Sequence, residues 1–188
     1  PSIESEGVIG MLGPNGMGKS TALSVLAGTR QPNLGDWEID SAAWDDIIQS
    51  VPSGLVREHM VRVSAGESSV SMKPQAIDRI PKVATGRVES LLRRVDDRDI
   101  FGKLIPDLGL EVVLEREIAE LSGGELQRVA IAATMLKEAD LYFFDEPTSY
   151  LDIYERLRVS RVIRELSTEH PVLVVEHDLA ILDLLCDK

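Results

Sequence analysis

The sequence predicts an α/β fold in which helices flank a parallel sheet. Three short apolar runs carry this prediction: Val8–Leu12, Leu141–Phe144 and Val172–Val175. Continuous apolar runs of this length are typical of strands that are buried on both faces of a parallel sheet. A helical pattern follows each run, which gives the strand–helix alternation of an α/β domain. Polar residues that follow such strands are expected at the carboxyl edge of the sheet, where ligands bind.

The first predicted strand enters a glycine-rich loop. Residues 13–20 read Gly-Pro-Asn-Gly-Met-Gly-Lys-Ser, which matches the phosphate-loop pattern GxxxxGK[ST]. Its glycines let backbone N–H groups wrap phosphates, and the helix that follows adds a favourable dipole. We expect Lys19 to reach the β- and γ-phosphates of a nucleotide and Ser20 to bind Mg²⁺. The predicted nucleotide-binding residues of the loop are Asn15, Gly16, Gly18, Lys19, Ser20 and Thr21.

The region between the phosphate loop and residue 85 is predicted to contain three helices followed by an irregular stretch. The first covers Lys19–Ala27, and Gly28 is a usual stop signal. Apolar residues at helical spacing then predict two short helices that form a helix–loop–helix insertion at 41–63. Residues 64–85 are expected to be mostly extended or loop, because they are rich in Gly, Ser and Pro.

The second half of the chain predicts a helical subdomain at 86–140 and two later helices. Residues 86–114 have helical patterns that are interrupted near Pro106, and a further helix reaches about Lys137. After the second apolar run, helices are predicted over Asp152–Glu169 and Asp178–Leu185.

Two acidic residues and a histidine follow the later apolar runs. Asp145 has the position of a Mg²⁺-binding acid, and Glu146 is placed to act as general base for hydrolysis. His177 ends the next run in the same way. Taken alone, an acidic pair at a strand end is more often a solvated turn, and a lone histidine is more often structural.

Residues 121–125 read Leu-Ser-Gly-Gly-Glu and start the helix that reaches Lys137. Ser122 precedes a glutamate by three residues, which is the capping-box arrangement. The Ser122 hydroxyl and the amides of Gly123 and Gly124 are therefore expected to form a second anion site at a helix N-terminus.

In this order, the phosphate loop, Leu-Ser-Gly-Gly-Glu and the Asp-Glu strand end resemble the ABC ATPases. The resemblance implies that Asp145 and Glu146 are the Walker-B acid and the catalytic glutamate, and that His177 is the switch histidine that contacts the γ-phosphate. Gln75 has the position of the Q-loop glutamine, which acts on both the metal and the reaction. The implied metal ligands are Ser20, Gln75 and Asp145. The implied contacts to ATP held by a different domain are Ser122, Gly123 and Gly124, and Asp152 is a further implied nucleotide-binding residue.

Longer matches are similar to one subfamily, the ABC-E proteins. These are ribosome-recycling ATPases, also called RNase L inhibitors, and the similarity is to the first nucleotide-binding domain of the archaeal members. The matching stretches are Gly13–Leu23, Lys73–Gln75, Leu114–Glu117, Leu121–Ala133, Phe143–Asp152 and Val174–Ala180, with the insertion at 41–63. Membership implies a cytoplasmic ATPase that uses ATP and Mg²⁺ to split ribosomes. Its implied partners are a second nucleotide-binding domain, the small ribosomal subunit and a release or rescue factor.

Length, charge and composition favour some classes of protein and exclude others. A chain of 188 residues suits one domain, and a net charge of −12 argues against a general nucleic-acid binder. Residues 57–94 nevertheless hold eight bases against four acids. This segment is either a solvated face or a contact surface for an anionic partner. The longest apolar runs are far too short to cross a bilayer, and the single Cys186 permits no internal disulfide.

We expect residues 1–188 to be a single ABC ATPase domain that is truncated at both ends, since the chain opens with Pro1. The subfamily's iron–sulfur domain and second nucleotide-binding domain lie outside this sequence. The main alternative is the ATPase subunit of an ABC membrane transporter, against which the polar insertion speaks. A DNA-repair ATPase would need a long coiled coil between its lobes, and an ABC-F-like factor a charged linker between two domains.

Overall fold

A four-stranded parallel sheet organises the computed structural model, which describes residues 7–14 and 16–186. The strands are β1 (Val8–Met11), β2 (Val70–Lys73), β3 (Leu141–Asp145) and β4 (Val172–Val175), in the spatial order β1-β4-β3-β2. Every residue of β3 and β4 is buried, as expected of central strands that helices cover on both faces. The predicted α/β class and the three predicted strands are confirmed.

The strand register aligns the polar residues that follow the strands. Asp145 at the end of β3 lies beside Val175 at the end of β4, and Phe144 lies beside Lys73 at the end of β2. Because all strands are parallel, their carboxyl ends meet at one edge of the sheet. This edge therefore brings together residues that are far apart in the sequence.

Three helices lie between β1 and β2 in the chain. They are α1 (Lys19–Leu26), α2 (Trp44–Ser50) and α3 (Leu55–Ser64). The two predicted insertion helices are thus present, and their apolar residues Ile47 and Met60 pack with Leu26 of α1 in a separate small core. His59 is fully buried in this contact, where its Nε2 lies 2.8 Å from the carbonyl oxygen of Leu26. The insertion is therefore fixed to the helix that follows the phosphate loop.

The stretch at 64–85 is more regular than expected. It contains strand β2, a 3₁₀ turn at Ile77–Arg79 and the short helix α4 (Ile80–Val83). β2 has only four residues, which alternate between half-buried and buried, and two of them are polar. Tertiary pairing with β3 makes this segment a strand, which local patterning could not indicate.

Helices α5 (Val88–Arg93), α6 (Phe101–Asp107) and α7 (Gly123–Leu136) occupy the region of the predicted helical subdomain. Pro106 lies in the last turn of α6, so this helix ends close to it as expected. A second break separates α5 from α6, and there Asp99 has a left-handed backbone with φ of 54°. Two 3₁₀ turns, Glu111–Val113 and Ile118–Glu120, lead into α7.

Helices α8 (Ile153–Leu166) and α9 (Leu179–Leu185) complete the described fold. The main core is formed by the five helices from α5 through α9 and one face of the sheet, to which Tyr142, Phe144 and Val174 contribute. A second core on the other face joins Leu23 of α1 to Phe143. The sheet is thus held between two layers of helix, with its carboxyl edge left open.

Candidate active site

The phosphate loop connects β1 to α1 at the open edge of the sheet. Gly16 and Gly18 have φ of 80° and 84°, a left-handed conformation that only glycine adopts without steric cost. The ammonium group of Lys19 folds back over the loop and donates to the carbonyl oxygens of Gly13 and Pro14, at 2.5 and 2.8 Å. Gly16, Gly18 and Lys19 therefore line one wall of a cleft. Asn15, which the sequence predicts to bind nucleotide, lies outside the described residues.

A cleft beside this loop brings together most of the predicted site. Its lining residues are Gly16, Gly18, Lys19, Ser20, Thr21, Gln75, Glu146 and His177. The loop and the first turn of α1 form one wall, and side chains that follow β2, β3 and β4 form the other. The signature residues Ser122–Gly124 and Asp152 are not among the described residues that line it.

Asp145 at the end of β3 is a buried carboxylate without a hydrogen-bond partner. Its residue is 1% exposed, and both carboxylate oxygens lack a partner among the described groups. Burial raises the pKa of Asp145, and the neighbouring Ser20 hydroxyl offsets only part of this effect. A buried, unpaired carboxylate is costly unless it has a cation to bind.

A divalent cation with oxygen ligands fits this arrangement. Mg²⁺ prefers one or two carboxylates together with hydroxyl, water and phosphate oxygens. No group of three or more His, Cys, Asp or Glu side chains forms a metal cluster in the described part of the chain. The Asp145 carboxylate and the Ser20 hydroxyl fit Mg²⁺, the amide oxygen of Gln75 in the same cleft is a further candidate ligand, and phosphate oxygens would supply others.

Glu146 is at the centre of a polar network that faces the cleft. Its Oε1 accepts hydrogen bonds from Gln75 Nε2 at 2.7 Å and lies 2.8 Å from His177 Nε2, while its Oε2 accepts from the Ser149 hydroxyl at 3.2 Å. Burial by itself would raise the pKa of Glu146, but the hydrogen bonds from Gln75, Ser149 and His177 outweigh it and lower the pKa. The structure thus gathers Glu146, Gln75 and His177, although the three are far apart in the sequence.

Three buried polar residues next to this network were not predicted from the sequence. Lys73 and Gln127, both fully buried, donate hydrogen bonds to the main-chain carbonyl of Glu146. The Glu176 carboxylate accepts from the amide and hydroxyl of Thr148 at 2.8 and 2.6 Å and from the amide of His177 at 3.1 Å. Lys73, Gln127 and Glu176 lie inside the stretches that match ABC-E proteins, which is the signal that could have found them.

The capping box predicted at Ser122 is present. The Glu125 carboxylate accepts hydrogen bonds from the Ser122 amide and hydroxyl, both at 2.7 Å, and Arg116 Nη1 lies 2.9 Å from the same carboxylate. The bonds from the Ser122 backbone and side chain, in this order, hold the pKa of Glu125 below its ordinary value. Helix α7 therefore starts with a fixed, anionic cap.

The two signature glycines pack against the segment that precedes α8. A Cβ added to Gly124 would lie 3.1 Å from the Tyr150 carbonyl oxygen, whereas one added to Gly123 would meet the Tyr150 ring at 3.5 Å. Tyr150 is itself left-handed, with φ of 65°. Asp152 is the N-cap of α8, where its Oδ1 accepts from the Glu155 amide at 2.9 Å. Its predicted contact with nucleotide stays a prediction.

Comparison with known proteins assigns the family. The model of the ABC transporter family matches residues 2–149. The chain is 44% identical over 181 residues to ABC transporter E family member 1 of Arabidopsis thaliana, an alignment that covers 96% of the chain and 30% of that protein. The chain is an ABC nucleotide-binding domain of the E family.

Two solved structures resemble this ABC-E domain closely. One is the archaeal ribosome recycling factor aABCE1 in complex with the archaeal ribosomal stalk protein aP1, with a TM-score of 0.92 and 48% identity. The match covers all of this chain and 36% of that one. The other is a model of ribosome-bound archaeal Pelota and ABCE1, with a TM-score of 0.86 and 49% identity over 98% of this chain and 31% of that one.

The ABC-E domain thus spans about a third of the length of the proteins it matches. In the part of the chain that the structure describes, no helix is both long and apolar enough to cross a bilayer. The predicted family is confirmed, and so is the predicted P-loop fold.

Proposed function

We propose that this domain binds and hydrolyses Mg²⁺-ATP as part of a cytoplasmic factor that splits ribosomes into subunits. The observation that carries the proposal is the position of the Glu146 carboxylate, which faces the phosphate loop across the cleft and is held by Gln75 and His177. A carboxylate so oriented beside a phosphate cradle is suited to align a water molecule and accept its proton.

The residues of the cleft divide the chemistry between them. The loop amides and Lys19 would hold the phosphates, and Ser20, Asp145 and Gln75 would hold Mg²⁺. The metal would neutralise charge that develops on the transferred phosphoryl group. His177 shares the Oε1 atom of Glu146 with Gln75. It is therefore placed to contact the γ-phosphate and to keep the carboxylate aimed at the attacking water.

The signature residues support a site that a second domain completes. Gly123 and Gly124 begin α7 with backbone N–H groups that have no partner within the helix and are available to an anion. The amide and hydroxyl of the N-cap Ser122 are bonded to Glu125 in this structure. None of the three residues lines the cleft of its own domain. Each site would then comprise one phosphate loop and the signature of the opposing domain. ATP would hold the two domains together, and hydrolysis would release them.

The ribosome as partner is supported by the likeness to a ribosome recycling factor and to ribosome-bound ABCE1. The small ribosomal subunit and a release or rescue factor such as Pelota are the proposed contacts. The insertion helices are packed on α1, directly behind the phosphate loop, so a contact made there would be transmitted to the nucleotide site. Among residues 57–94, seven bases other than the buried Lys73 are at least partly exposed, against four acids, and this surplus suits an RNA-rich surface.

Substitution of the proposed base tests this function. In the full-length protein, we expect Glu146→Gln to bind Mg²⁺-ATP normally but to lower single-turnover hydrolysis at this site by about 100-fold or more, the usual contribution of a general base. ATP should then stay trapped between the domains. Glu138→Gln makes the same change at an exposed position and should leave hydrolysis unaltered. Unchanged hydrolysis in Glu146→Gln would remove Glu146 from this role.

A further inference from the structure

Lys73 is the least expected residue next to the catalytic network. It ends strand β2 and is fully buried, whereas lysine is almost never fully buried unless it is paired. Its ammonium group donates to the carbonyl oxygens of Asp145 at 2.9 Å and Glu146 at 3.3 Å. Burial lowers the pKa of Lys73 to about 8, although the carboxylates of Asp145, Glu146 and Glu176 act in the opposite direction.

Stability alone does not account for this lysine. An apolar side chain of similar length would avoid the desolvation cost of a buried charge, and replacing buried charges by apolar groups is often neutral or stabilising. Lys73 is not among the cleft-lining residues, and its complete burial separates it from a nucleotide bound there. Its two bonds to the main chain at 145–146 therefore point to a role exerted through that segment.

The backbone of Glu146 needs such support. Its φ of 49° is a left-handed conformation, which costs about 1–3 kcal/mol for a residue other than glycine and persists only where surrounding contacts impose it. The Glu146 amide donates to the Val175 carbonyl at 2.8 Å. Its carbonyl accepts from Gln127 Nε2 at 2.7 Å as well as from Lys73.

We propose that Lys73 and Gln127 are positioning residues for hydrolysis, which hold the Glu146 carbonyl so that its carboxylate is aimed at the cleft. Strand β2 and helix α7 contribute one donor each, and β4 fixes the amide of the same residue. Backbone conformation decides which rotamers a side chain can adopt. Losing the two donors would let the peptide relax and would move the carboxylate away from Gln75 and His177.

This inference rests on the proposed function, because it assigns Glu146 as the base. The test compares Lys73→Met, Gln127→Leu and the control Lys137→Met, which removes an exposed lysine, in the full-length protein. Single-turnover hydrolysis, the Kd for Mg²⁺-ATP and the melting temperature are measured for each. We expect Lys73→Met and Gln127→Leu to slow hydrolysis by about tenfold or more, since misplacement of a catalytic group by about 1 Å can cost 100-fold. The Kd should change less than about threefold, and Lys73→Arg, which retains a donor, should recover part of the rate.

Combined variants separate the two proposals. If Lys73 acts through Glu146, adding Lys73→Met to Glu146→Gln should slow hydrolysis no further, because the two residues act as a unit. A normal rate in both Lys73→Met and Gln127→Leu would overturn the positioning role while Glu146→Gln remains slow. The positioning role would also be overturned if Lys73→Met slowed hydrolysis in the Glu146→Gln background by the same factor as in the parent protein. It would likewise be overturned if Lys73→Met weakened only the binding of Mg²⁺-ATP and left the hydrolysis rate unchanged. A normal rate in Glu146→Gln itself would overturn the proposed function instead.

Discussion

Neighbouring glycines in the signature should respond differently to the same substitution. Gly123 and Gly124 are the first two residues of α7, and neither has a positive φ. Alanine is therefore compatible with the backbone at both. The difference lies in what the added Cβ meets, which is the Tyr150 ring at 3.5 Å for Gly123 but the Tyr150 carbonyl oxygen at 3.1 Å for Gly124.

The expected magnitudes follow from these two contacts. Replacing glycine by alanine in a helix stabilises a protein by at most about 1 kcal/mol, because the unfolded chain loses freedom. At Gly123 this gain is retained, since the new contact has ordinary van der Waals length. At Gly124 the carbonyl must move, and overpacking of this kind costs about 1–3 kcal/mol. Tyr150 cannot yield easily, because its left-handed backbone is already strained.

Thermal unfolding of the two variants measures the difference. We expect Gly123→Ala to match or exceed the parent protein and Gly124→Ala to be less stable than Gly123→Ala by about 1–3 kcal/mol. For a domain of this size, each 1 kcal/mol corresponds to about 2–4 °C in Tm. Equal melting temperatures for the two variants would show that the Tyr150 carbonyl does not restrict Gly124, and the packing argument would be wrong.

Two further predictions concern Asp145 and Ser122. We expect Asp145→Asn to weaken Mg²⁺-dependent ATP binding, yet to raise the Tm of the metal-free protein at pH 7. The pKa of Asp145 is raised in the folded state, so the ionised carboxylate opposes folding at a pH above that pKa. The gain in Tm should therefore vanish as the pH falls through the pKa of Asp145. A gain in Tm that persists in acid would contradict this reasoning. We expect Ser122→Ala to destabilise the domain by about 1 kcal/mol through loss of the N-cap, and Ser122→Thr, which can still cap, to be close to the parent in thermal unfolding.

The sequence predicted the parts of the fold that local chemistry determines. Strand β4 is wholly apolar and β3 is hydrophobic up to Asp145, so both are recognisable, and the cap of α7 follows from Ser122 and Glu125. The grouping of Gln75, Glu146 and His177 was expected from the family order, and the parallel register of the sheet accounts for it.

What the sequence could not predict depends on tertiary pairing. Strand β2 has only four residues, too few for their alternation of apolar and polar side chains to identify a strand, and its burial is the reverse of the usual pattern because the two polar residues are the buried ones. One of these, Lys73, looks like a surface residue by composition and becomes buried only because β3 pairs beside it. The left-handed backbone of Glu146 has no local signal either, because glutamate does not favour that conformation.

The short segment between β3 and α8 links the two functional halves of this domain. Its first residue, Glu146, lines the cleft beside the phosphate loop, and its later residue Tyr150 packs against Gly124 of the signature. Between them, Ser149 bonds the Glu146 carboxylate and Thr148 bonds Glu176. Because interfaces packed this closely do not deform gradually, a shift of the signature towards an opposing nucleotide would move the same segment that orients Glu146. Under the proposed function, in which a second domain holds the opposing nucleotide, occupancy of one ATP site would alter the geometry of the proposed base in the other.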